Sequence, residues 1–102
     1  MIRHIVLWRL KGDTESERYA RGLQIKSLLE ALNGKIPGLI YLEVGFDFSR
    51  TSESSDIVLY SEFATKEALE RYQQHPEHLK VIPTVKESRI ERRVVDFETN
   101  NV

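Results

Sequence analysis

The chain has 102 residues, is 40% hydrophobic, 30% charged and 9% aromatic, and carries a formal net charge of −1. That length fits a single domain over residues 1–102, and the composition is that of a globular chain rather than a disordered one. The near-neutral charge offers no basic field to a nucleic-acid backbone, and the lack of cysteine removes disulfides, thiolate catalysis and Cys-based metal centres.

Residues 2 to 11 alternate and are rich in β-branched and aromatic side chains, which predicts a strand. Ile2, His4, Val6, Trp8 and Leu10 share one face, apolar except for His4. Arg3, Ile5, Leu7, Arg9 and Lys11 share the other, apolar at its centre and basic at its ends. Gly12-Asp13 turns the chain, and Thr14 with Glu17 offers a capping box. A long helix follows, with Leu23, Ile25, Leu28, Leu29 and Leu32 as its apolar stripe. Asn33-Gly34 ends it.

A second strand is expected from about Leu39 to Phe48. Ile40, Leu42, Val44, Phe46 and Phe48 form its apolar row, and Gly45 marks a bulge or a close approach. Ser49 to Ser55 reads as a loop, and Asp56 to Phe63 as the third strand. Thr65 caps the next helix, with Glu67 in its first turn, and Ala68, Leu69 and Tyr72 face inward. Pro76 suits the first position of a further helix. Leu79 and Ile82 continue that helix until Pro83 breaks or kinks it. Arg89 to Phe97 is the last strand, and 98–102 is a tail expected to fray.

The order β-α-β-β-α-(α)-β predicts an α+β fold: a ferredoxin-like split β-α-β protomer with a four-stranded antiparallel sheet and helices on one side. The strands are nevertheless apolar on both faces. Ile57, Leu59 and Phe63 oppose Val58 and Tyr60, and Ile5 and Leu7 oppose Val6 and Trp8. Burying one such side chain is worth about 1.5–3 kcal/mol. Leaving four wet forgoes on the order of 6–12 kcal/mol, comparable with the ~5–15 kcal/mol stability of a whole domain. The expected cover is a second copy, sheet face against sheet face, in a homodimer.

No apolar run approaches the ~20 residues of a membrane helix, and Met1 to Arg9 is too short and too charged for a signal peptide. A cytoplasmic location with no membrane and no nucleic-acid partner is expected. There is no Gly-rich phosphate loop, nucleophile elbow or paired-carboxylate signature, so no cofactor is expected. His4, His75 and His78 lack a clear carboxylate partner, and a proline interrupts the His-x-x-His spacing, so no metal is expected either.

The sequence resembles the stress-responsive dimeric A/B barrel (Dabb) domain family. Four stretches carry the likeness: Arg3-His4-Ile5-Val6-Leu7-Trp8, the Ile36-Pro37-Gly38 turn followed by Glu43-Val44-Gly45, the run from Asp56 to His78 ending Tyr72-Gln73-Gln74-His75-Pro76-Glu77-His78, and Val94-Val95-Asp96-Phe97. The resemblance covers nearly the whole chain. It implies a ferredoxin-like protomer that pairs into a β-barrel with its helices outside, and the pocket of one enzyme member lies between sheet and helices. One plant member is a polyketide cyclase, whose working residues would fall by motif on His4, Tyr72 and His78. A further catalytic histidine of that enzyme falls on Ile57, which cannot move a proton, so that particular cyclisation is not expected here.

These residues leave the chemistry open between a binding pocket, an enzyme and a structural assembly protein without a ligand. His4 is either a core imidazole or the polar group at a pocket floor. His78, in the first turn of a helix whose dipole favours the neutral ring, is either a general base or a structural residue of the helix start. Tyr72 either offers its hydroxyl to a ligand oxygen or packs with a wet tip. His75 is expected to cap the helix that begins at Pro76. The expected pocket is lined by His4, Trp8, Ile57, Leu59, Phe63, Tyr72 and His78, and would take a small apolar or aromatic molecule. The enzymatic alternative is proton transfer on a ketone or enol with His78 as base and Tyr72 or His4 as oxygen partner. The charged last strand and first helix read as solvated surface.

Overall fold

The computed structural model describes residues 1–100. Its elements are β1 (Ile2–Leu10), α1 (Glu15–Glu30), β2 (Leu39–Phe46), β3 (Ile57–Phe63), α2 (Lys66–Gln74), α3 (Pro76–Leu79), α4 (Ile82–Ser88) and β4 (Arg89–Glu98). The strands form one antiparallel sheet in the order β2-β3-β1-β4. This is the ferredoxin-like α+β arrangement that the element order predicts.

The strand alternation holds in β1 and β3. Ile2, His4, Val6, Trp8 and Leu10 are buried beneath the helices, with Ile57, Leu59, Ser61 and Phe63 beside them on β3. Ile25 and Leu29 come down from α1, Leu32 from the turn after it, Leu69 and Tyr72 from α2, and Val81 and Val85 from the last helical stretch. The opposite sheet face carries Ile5, Leu7, Val58, Tyr60, Val95 and Phe97 and has no helix over it. Leu7, Val95 and Phe97 are exposed there, as the two-faced patterning requires of an isolated chain.

Caps act where expected. The Thr14 and Thr65 hydroxyls accept from the N–H groups of Glu17 and Ala68. His75 closes α2 and caps α3, its Nδ1 accepting from Glu77 N–H at 3.1 Å.

Four local expectations are corrected. Leu23 and Leu28 are exposed, because α1 lays only the narrower Gly22, Ile25, Leu29 stripe on the sheet, and Leu32 is buried from the turn beyond it. The second strand ends at Phe46, and Phe48 is 90% exposed. The irregularity in β2 lies between Leu39 and Tyr41 rather than at Gly45, and it turns Ile40 out of the buried row. The helix that begins at Pro76 ends at Leu79 rather than running on to Pro83, and Pro83 sits in the first turn of α4, where an N–H would have no partner. Of the tail, Glu98 closes β4 and Thr99 N–H donates to the Met1 carbonyl, while 101 and 102 lie outside the described residues.

β2 is an edge strand whose free backbone groups are taken up by side chains of α1 and of the turn that follows it. Asn33 bonds both the N–H and the carbonyl of Leu42, Glu30 accepts from Val44 N–H, and Lys26 donates to the Val44 carbonyl. This blunts one edge against pairing with another chain.

Candidate functional site

Between the inner sheet face and the later helices lies a cavity of about 220 Å³. Its floor comes from β1 and β3: His4, Val6, Trp8 and Leu59. Leu29 of α1 closes one side, and Tyr72, Gln73, His78, Val81, Ile82 and Val85 form the helical wall. Lys86, Arg89 and Arg92 complete the lining. Five of the seven expected lining residues therefore meet here: His4, Trp8, Leu59, Tyr72 and His78.

Phe63 and Ile57 do not line it. Phe63 is fully buried behind the site, its ring 5.0 Å from that of Tyr72 and 6.4 Å from that of His4. Ile57 shares the Leu59 face but sits two residues along β3, under α1. A Cβ added to Gly22 would stand 3.2 Å from Ile57 Cγ2, so the helix backbone packs closely on Ile57, which lines the second cavity instead.

His4 is buried, and its Nδ1 meets the Asp96 carboxylate from the directly opposed position on β4. A carboxylate only accepts, so the Nδ1–H donates, which leaves Nε2 as the ring nitrogen not engaged by Asp96. His78 is half-buried, with Nδ1 3.4 Å from the Gln73 carbonyl. The same reasoning leaves its Nε2 as the acceptor. Burial holds the His78 pKa below its ordinary value; the Gln73 contact opposes this, and His4, Arg92 and His75 reinforce it. The direction is that expected from sequence, but burial is the main cause rather than the dipole of a four-residue helix.

Tyr72 joins the two histidines. Its ring centroid is 4.2 Å from that of His78 and 6.3 Å from that of His4. The side chain is 1% exposed, and its hydroxyl has no hydrogen-bond partner. Burial pushes its pKa well above the ordinary phenol value, so it acts as a neutral donor. The Trp8 Nε1–H is also buried without a partner. Two buried donors without partners beside one cavity match a guest that brings acceptor oxygens, because an unmade buried hydrogen bond costs about 1–3 kcal/mol.

A second, larger cavity of about 490 Å³ lies by the start of α1 and the 47–56 loop. Its charged groups are largely engaged already. Arg50 pairs with Glu15, Arg18 donates to the Gly12 carbonyl, Asp47 accepts from Arg50 N–H, and Asp56 accepts from Leu10 N–H.

Sequence reasoning missed Asp96 and the cationic edge. Asp96 had a signal: it alternates with Val94 and Arg92 on the last strand, and antiparallel pairing with the first strand sets it against His4. Arg89 and Arg92 were read as solvated surface, yet both line the cavity. Among the described residues no cluster of three or more His, Cys, Asp or Glu side chains could hold a metal ion, and no helix is long and apolar enough to cross a membrane.

A model of the family described as the stress responsive A/B barrel domain matches residues 2–99. An uncharacterised protein of Streptomyces coelicolor is 33% identical over 78 residues, covering 76% of this chain and 79% of that protein. A crystal structure from Bacteroides fragilis, described as a dimeric protein of unknown function with a ferredoxin-like fold, is 33% identical with a TM-score of 0.85. The match covers 96% of this chain and 95% of that one. A Dabb family protein from Mesorhizobium loti, also ferredoxin-like, is 26% identical with a TM-score of 0.75, over 96% of this chain and 95% of that one.

Proposed function

This chain belongs to the stress-responsive A/B barrel domain family, and from that premise we propose that it is a homodimeric binding protein that holds a small apolar or aromatic molecule between sheet and helices. The observation that carries the proposal is the cavity beneath the helices, apolar in its walls and flanked by two unpartnered buried donors, Trp8 Nε1–H and the Tyr72 hydroxyl. A protective assembly protein without a ligand has no use for either. The composition and the lack of cysteine favour the cytoplasm as its location.

The test is a thermal-shift screen of small aromatic and ketonic compounds against wild type and Trp8→Phe/Tyr72→Phe. A binder stabilises the native state by mass action. The expected result is stabilisation of the wild type that shrinks in the variant. Failure of every compound to stabilise the wild type defeats the proposal.

Dimerisation is supported by the uncovered apolar sheet face and by the B. fragilis relative, which is described as dimeric. Sedimentation velocity at micromolar concentration should give twice the 11.9 kDa chain mass, and Val95→Glu should halve it. A wild-type monomer refutes the dimer.

A second reading is favoured by the contact between Tyr72 and His78: proton transfer on a ketone or enol. His78 Nε2 would take the proton, and the Tyr72 hydroxyl would hold the developing oxyanion. Enzyme and binder separate on His78→Ala, which abolishes turnover in the first case and only weakens affinity in the second.

A further inference from the structure

The cavity described above has one edge of a single charge sign. Lys86 near the end of α4, Arg89 at the start of β4 and Arg92 on its inner face all line it. No Asp or Glu is among its lining residues. Among the described residues none of the three cations makes an ion pair. Three uncompensated positive charges thus gather at one opening of a chain whose net charge is −1. Arg92 also acts on the interior, since its charge is one of the influences that disfavour protonation of His78. Asp96, on the same face of β4 as Arg92, is engaged by His4.

The buried end of the same cavity has a different character. Val6, Leu29, Leu59, Val81 and Val85 give it an apolar body, and the unpartnered Trp8 Nε1–H and Tyr72 hydroxyl are donors. Neither end offers an anionic group to a cation. A neutral apolar guest would leave the three rim charges unused.

We propose that the molecule held here is an organic carboxylate with a second oxygen at its far end, a ketone or hydroxyl that accepts from Trp8 Nε1–H and the Tyr72 hydroxyl, its apolar body among the valines and leucines and its charged end against Lys86, Arg89 and Arg92. This rests on the binding reading above and narrows it to a chemical class. Guanidinium groups suit the role because their planar fork meets a carboxylate with two parallel hydrogen bonds. Their place at the mouth lets a long carboxylate enter with its charge never far from water or a partner, which avoids the cost of an unpaired buried ion.

The experiment compares octanoate, octanamide and octylammonium by isothermal titration calorimetry. The proteins are wild type and Lys86→Gln/Arg89→Gln/Arg92→Gln, each checked for native circular dichroism and melting. The readout is the ratio of octanoate to octanamide affinity, so a general loosening of the variant does not count as support. In wild type the ratio should be about tenfold or more, and octylammonium should bind least. In the triple variant the ratio should collapse to within about twofold, and in wild type it should fall as salt is raised. Octanamide binding as tightly as octanoate overturns the carboxylate assignment and leaves the cavity reading standing. A ratio that survives in the triple variant also overturns it. Failure of all three probes to bind overturns the carboxylate assignment, whereas the binding reading falls separately, on failure of the aromatic and ketonic compounds to stabilise the wild type.

Discussion

Asp96 stands directly opposite His4 across the β1–β4 ladder, and its carboxylate engages the imidazole Nδ1. His4 has a side chain only 4% exposed, whereas Asp96 is 43% exposed. Asp96→Ala strands a buried N–H, a loss in the range of about 1–3 kcal/mol, nearer the lower end because water can follow from the Asp96 side. Asp96→Asn keeps an acceptor and should recover more than half of the loss. Urea unfolding of the two variants measures this, and an Asp96→Ala protein as stable as wild type would show that the pair orients nothing.

Protonation of His78 should destabilise the fold. Its folded pKa lies below the ordinary 6.5 because of burial. The unfolded chain therefore binds this proton more readily, and stability rises with pH through this interval. The contribution of the neutral ring is complete above about pH 6.5 and is lost as pH falls through the lowered folded value. Wild type should thus lose more stability than His78→Gln when unfolding is followed from about pH 7.5 down to about pH 5. Parallel profiles for the two proteins would contradict the assignment.

Tyr72→Phe should separate stability from binding. The hydroxyl is buried and unpartnered, so its removal relieves a desolvated group and should stabilise the empty protein by up to about 1 kcal/mol. The same change deletes a donor at the cavity and should weaken a ligand that presents an acceptor oxygen. Chemical denaturation and calorimetry on one preparation test both signs. A destabilised variant would mean that the hydroxyl has a partner in solution.

Gly38→Ala should be costly despite its single carbon. Gly38 has φ of 84°, and an added Cβ would stand 2.5 Å from Ala68 Cβ at the buried start of α2. A left-handed non-glycine residue costs about 1–2 kcal/mol, and overpacking about 1–3 kcal/mol more. Gly34, with φ of 82° and open space around it, bears the conformational part alone. Gly38→Ala should therefore lower the denaturation midpoint clearly more than Gly34→Ala, and equal losses would remove the packing argument.

The first strand was legible because its two periodic sets, Ile2 to Leu10 and Arg3 to Lys11, depend only on the pleat. The caps at Thr14, Thr65 and His75 were legible for a similar reason: each bonds a backbone group two or three residues away. Leu23 and Leu28 were misread because a helix stripe indicates which residues can be buried, while the width of the contact depends on the sheet beneath it. Pro83 was ambiguous because a proline that ends one helix also suits the first turn of the next.

The chain alone therefore determined the order of its elements, the inner row that holds His4, Val6 and Trp8, and the presence of an apolar face with no helix to cover it. These follow from periodicity and from contacts between near neighbours. Only the tertiary structure decided that Asp96 meets His4 across 92 residues of chain, that Leu59 faces the cavity beside His4 while Ile57 faces the separate one by the start of α1, and that Lys86, Arg89 and Arg92 border the first. The reason is geometric. Register and helix placement set which distant groups meet, and a cavity is space that packing leaves unfilled, which no local pattern encodes.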